Sequence, residues 1–94
     1  MNNIFFYQKT PNEIAKNLVV KIREHRKKLK ISQEVLAKKS GVSLGSIKRF
    51  ETKYEISLQS LIKIAIALDL DGELENLFTI KTYTSINEVI NGKL

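Results

Sequence analysis

Apolar residues recur at helical spacing through most of this chain. Ile14, Leu18, Ile22 and Leu29 stand four and seven residues apart and predict one stripe of an amphipathic helix. Just ahead of them, Thr10-Pro11-Asn12-Glu13 is a capping box, with hydroxyl to the third-residue amide and carboxylate back to the cap, and with proline at the first helical position. The basic run Arg26-Lys27-Lys28 suits the negative end of that helix. Ser32 predicts the cap of a second helix over 33–39, closed by Gly41, and Ser43 the cap of a third over 44–52. Ser57 predicts a fourth helix over 58–68 with Leu58, Leu61, Ala65 and Leu68 turned inward. Asp71 predicts a short fifth one carrying Leu74, Leu77 and Phe78.

The expected fold is all-α, with five helices in one domain spanning residues 1–94 and a core over about 11–78. Helices two and three are separated only by Ser40-Gly41-Val42-Ser43. A glycine-containing turn that tight forces a steep crossing, so residues 33–52 predict a helix-turn-helix. The two ends fit a bundle less well. Ile4-Phe5-Phe6-Tyr7 and Thr79-Ile80-Lys81-Thr82-Tyr83-Thr84 are β-prone and predict short strands, which need each other or a second subunit for stability. Ser85-Ile86-Asn87-Glu88 is a further capping box, opening a last turn or two. The terminal segments 1–9 and 79–94 are thereby expected to serve dimer or partner contacts.

Charge changes the picture more than composition does. The chain has 16 basic and 10 acidic residues among 94, a net of +6. Residues 9–53 hold 13 basic and 4 acidic side chains, a net of +9, whereas residues 54–94 hold 3 and 6, a net of −3. A polarised basic chain points first to nucleic acid as partner, then to an anionic membrane surface. Cysteine is absent and His25 is the single histidine, which disfavours a disulfide framework or a metal site. No apolar run approaches the roughly 18 residues of a membrane span, and the N-terminal residues lack a signal peptide's basic start and cleavage site. A cytoplasmic protein, without cofactor or membrane partner, is the expectation. No nucleophile–base pair, metal set or phosphate loop can be assembled, so an enzyme is disfavoured.

The run from Ser32 to Glu51, SQEVLAKKSGVSLGSIKRFE, resembles the helix-turn-helix of lambda-repressor-like, Cro/Xre-type DNA-binding domains, and the resemblance extends over about residues 14–70. Its logic is physical as well. Ala37 is small where two helices cross, Gly41 permits a left-handed turn, and Leu36, Val42 and Ile47 pin one helix on the other. The resemblance implies that the second motif helix enters the major groove while the first lies across the backbone. It implies a phosphate contact for Gln33 and an amide-rich cap at Ser43. It further implies base-facing positions at Leu44, Gly45, Lys48 and Arg49, a DNA contact at Ser46, and a backbone grip by Thr52 and Lys53. Arg49 stands out, because a guanidinium pairs bidentately with guanine. Arg26 and Glu51 fall where relatives place a partly buried ion pair.

Three features depart from the family's pattern. Leu44 and Gly45 stand where polar readers are common, Thr52-Lys53-Tyr54-Glu55 replaces the usual Asn-Gly loop, and Asp69 stands where a glycine often ends the fourth helix. His25 is expected to face solvent. Tyr54, Tyr83 and the Phe5-Phe6-Tyr7 cluster are read as packing against a core or a partner rather than stacking on bases. The function implied is a homodimeric repressor of its own operon on an inverted-repeat, double-stranded operator. Arg49-Phe50-Glu51 with the acidic-apolar 55–61 segment is also similar to small antitoxins encoded beside HipA-type toxin kinases, which implies such a kinase as a partner. The competing reading is a coactivator-like interaction module without specific DNA readout.

Overall fold

Local cap chemistry starts four of the five helices in the computed structural model, which describes residues 9–79. Helix α1 is Pro11–Lys28. The Thr10 hydroxyl accepts from the Glu13 amide at 3.1 Å while Glu13 Oε1 accepts from the Thr10 amide at 3.0 Å. That return bond, then the Thr10 hydroxyl and the charge of Lys9, hold the Glu13 carboxyl below its usual range. Ser32, Ser43 and Ser57 cap α2 (Gln33–Ser40), α3 (Leu44–Lys53) and α4 (Leu58–Ala67), each accepting from the amide three residues on. Helix α5 is Asp71–Glu75. Its cap is Leu70, which has no side-chain acceptor, and Asp71 is already helical rather than the predicted cap.

The core gathers Val19 and Ile22 of α1, Leu36 of α2, Val42 of the turn, Ile47 and Phe50 of α3, and Ile64 and Leu68 of α4 and its end. Ala37 packs against it at the crossing of α2 and α3, and Gly41 takes φ 77°, the left-handed conformation the short turn requires. Helix α2 also packs on α4, α1 on α3, and α5 on α4.

Two predicted stripes are corrected. On α1 the inward positions are Val19, Ile22 and Arg26, whereas Ile14, Leu18 and Leu29 are exposed. The buried face includes an arginine, so a count of apolar residues selects the neighbouring stripe, whose first half lies beyond the bundle. On α4 the inward set is Ile64, Ala65 and the capping Leu68 with half-buried Leu61, while Leu58 is 70% exposed. Leu58 begins the helix one turn before the core does.

His25 does not face solvent. It is half-buried, and its Nε2 donates to the Leu68 carbonyl at 3.0 Å, satisfying an orphan acceptor at the end of α4. Asp69 follows at φ 60°, so the position that departs from the expected glycine takes the left-handed conformation. No strand occurs among the described residues. The segment 4–7, residues 80–84 and the 85–88 capping box lie outside them. Leu77 and Phe78, expected on the fifth helix, follow its end and are exposed, Phe78 by 85%.

Candidate nucleic-acid interface

Helix α3 is built with two faces. Ile47, Phe50 and Glu51 are buried against the bundle. Gly45, Lys48, Arg49 and Thr52 recur at i, i+3, i+4 and i+7 on the opposite side and are all exposed, as are Ser43, Ser46 and Lys53. Leu44, in the first turn, is half-buried. The face holds three cations from Lys48 to Lys53 and no carboxylate.

Its polar groups are partly committed already. Ser43 Oγ accepts from the Ser46 amide at 3.1 Å and donates to Ser46 Oγ at 2.8 Å, so both hydroxyls are fixed at the helix start. Thr52 Oγ1 donates to the Lys48 carbonyl at 2.8 Å. Arg49 Nη2 donates to Glu55 Oε1. Lys48 and Lys53 make no ion pair among the described residues. A Cβ added at Gly45 would meet no atom within 4 Å, so nothing in the fold itself requires glycine there.

Behind this face sits a buried polar clamp. Arg26 Nε and Nη2 donate to the two Glu51 carboxylate oxygens at 2.8 and 3.0 Å, a fork-on-fork pair. Arg26 Nη1 donates to the Ile31 carbonyl at 2.7 Å, which ties the α1–α2 connection to the same guanidinium. Gln33 Nε2 donates to Glu51 Oε1 at 2.8 Å. Arg26 is 7% exposed and Glu51 5%. One carboxylate on the inner face of α3 therefore fixes α1, the start of α2 and α3 relative to one another. An amide has two N–H groups and one carbonyl, so Gln33 keeps donor and acceptor capacity for an outside partner.

A family model for the helix-turn-helix matches residues 22–74, more than half of the chain. The chain belongs to the Cro/Xre-type helix-turn-helix family. No curated protein and no solved structure gives a match. The five helices fit the lambda-repressor-like all-α fold, and the family is one of DNA-binding regulators, typically non-enzymatic. In this helix-turn-helix protein, α2 and α3 are the motif. Among the described residues no helix is long and apolar enough to cross a membrane, and no group of His, Asp or Glu is placed to hold a metal ion.

Two polar contacts escape a reading of the sequence. Glu55 lies six residues beyond Arg49, past the end of α3, where no helical spacing rule connects them. His25 and Leu68 are 43 residues apart in sequence and meet only because α1 packs beside the end of α4. Gln33 carried a signal as the first residue of its helix, but its bond to Glu51 spans 18 residues and is a product of the fold.

Proposed function

We propose that this helix-turn-helix protein is a homodimeric repressor that reads an inverted-repeat operator in its own promoter. The observation that carries the reading is the outward stripe of α3, where Gly45, Lys48, Arg49 and Thr52 stand exposed over a buried clamp that holds the helix rigidly. In this reading α3 lies in the major groove, N-terminus first. The Ser43 cap and the amides of the first turn meet a phosphate, where the helix dipole favours an anion. Arg49 donates to a guanine edge, Ser46 and Leu44 line the groove wall, and Gly45 lets the backbone approach closely. Lys48, Thr52 and Lys53 hold the backbone beyond, and Gln33 adds a phosphate contact from the start of α2.

One such unit reads too few base pairs for strong specificity, and a two-fold dimer sets two recognition helices about 34 Å apart on one DNA face. Leu58, Ile62 and Ile66 form an exposed apolar stripe along α4, and Leu77 and Phe78 follow α5. That surface supports an interface with a second copy, which the terminal segments 1–9 and 79–94 would complete. Core residues 11–78 and the motif 33–52 are the working parts of the single domain.

Antitoxin activity is a narrower form of the same function. The exposure of Glu55, Ser57 and Gln59, outside the apolar α4 stripe, supports an antitoxin-like 55–61 segment open to a kinase partner of the HipA type. Footprinting on the chain's own upstream DNA, with and without the product of the neighbouring gene, tests both. A protected inverted repeat supports the repressor, and extension of the footprint by the neighbour's product supports the antitoxin. Absence of protection at low salt would favour an interaction module instead.

A further inference from the structure

The contact between Arg49 and Glu55 is unusual for its surroundings. Between residues 25 and 53 the described carboxylates are Glu34 and Glu51, and Glu51 is consumed by Arg26 and Gln33. Glu55 is the next acid, and it meets the one arginine on the outer face of α3. The meeting is arranged by the backbone. Tyr54 ends α3 in the left-handed conformation at φ 62°, with its amide bonded to the Phe50 carbonyl at 3.0 Å. Tyr54 and Ile56 both pack on the core, so the backbone of Glu55 is pinned on each side. The carboxylate thereby turns back over a hollow shared by Ser46, Arg49, Ile56 and the first turn of α4.

As a stabiliser the pair contributes little, since its side chains are 67% and 62% exposed and an open ion pair is screened by water and salt. Its chemistry fits a different role. A guanidinium has five N–H donors, and Glu55 engages one of them at Nη2. Enough donors remain for a bidentate contact to a guanine, while the neighbouring carboxylate weakens the attraction of Arg49 for a phosphate. We propose that Glu55 is a specificity-determining residue: it holds Arg49 in position for a base edge and withholds it from the DNA backbone. This rests on the reading of Arg49 as a base contact.

The test compares the full chain with Glu55→Gln, Arg49→Ala and the double variant. Each is used to select duplexes from a randomised pool and is then titrated on the selected site and on an unselected duplex over a range of salt. In Glu55→Gln the preference at one base-pair position falls by about threefold or more, and binding to the unselected duplex tightens. The log–log salt slope there steepens by about 0.9, one additional phosphate contact. Arg49→Ala loses preference at that same position, and adding Glu55→Gln to it changes preference no further. An unchanged melting temperature in Glu55→Gln separates this from a folding effect. If Arg49→Ala flattens a position and Glu55→Gln leaves both preference and slope as in the parent, the role of Glu55 is overturned while the reading of Arg49 stands. If Arg49→Ala alters no position, both are overturned.

Discussion

Glu51→Ala should be among the most damaging single substitutions in the chain. The carboxylate accepts three bonds of 2.8 to 3.0 Å, two from Arg26 and one from Gln33. Its removal leaves the Arg26 guanidinium 7% exposed with the Ile31 carbonyl as its one remaining partner, and leaves the Gln33 amide without its acceptor. Breaking a buried pair by deleting one member costs about 3–5 kcal/mol, mostly because the other charge is orphaned. In a domain this small, 1 kcal/mol moves the melting temperature by roughly 4–8 °C, so a fall of at least about 12 °C is expected. The double variant Arg26→Met, Glu51→Leu should recover most of that loss, because a well-packed apolar pair of similar volume is often as stable as the ion pair it replaces. The assay is thermal and urea unfolding of the parent and Glu51→Ala, and of Arg26→Met, Glu51→Leu and their double variant, which close a thermodynamic cycle with the parent. A Glu51→Ala protein within about 0.5 kcal/mol of the parent, the range of ordinary surface substitutions, would refute the argument and show that water replaces the carboxylate.

Three further outcomes follow from other contacts. Gly45→Ala meets no clash, so it should raise stability by up to about 1 kcal/mol while weakening operator binding; unchanged operator affinity in unfolding and titration measurements would count against close backbone approach at that position. The Glu13 carboxyl titrates below its unfolded value, so its capping contribution is full above that value and is lost as pH falls through the lower, folded one. The acid limb of stability below about pH 4.3 should accordingly flatten in Glu13→Gln, and an unaltered limb in acid titration by circular dichroism would show that the box does not persist in solution. Ile66→Glu places a charge on the exposed α4 stripe and should yield folded monomers with weakened operator binding; sedimentation as an unaltered dimer would move the interface elsewhere.

Cap chemistry was the most legible layer of this fold. Thr10, Ser32, Ser43 and Ser57 each act on an amide three residues away, and Gly41 on its own backbone, so no distant partner is needed to read them. Orientation was less legible. Helix α1 carries two overlapping apolar stripes, and the one that faces the core is completed by Arg26, a residue that a hydrophobic count assigns to solvent. Arg26 and Glu51 could be placed together by resemblance, but the recruitment of Gln33 and the Ile31 carbonyl to the same pair depends on how α1, α2 and α3 meet. His25 illustrates the same limit, since its acceptor is a main-chain carbonyl, and any residue type supplies one. On the outer face of α3 the DNA-facing positions were legible only through the family resemblance, whereas the partner of Arg49 was hidden behind the left-handed turn at Tyr54.

Whether the exposed face of α3 reads DNA is decided by a salt-resolved titration of the full chain. Affinity for the promoter duplex and for a scrambled duplex of equal length is measured between low and physiological salt. Both affinities are expected to fall linearly on a log–log plot, with a slope of about −0.9 for each phosphate contacted. A preference of about 10³-fold or more for the promoter is expected at physiological salt, one that Arg49→Ala reduces. Equal affinity for both duplexes at every salt concentration, or no binding to either at low salt, would contradict DNA reading by α3.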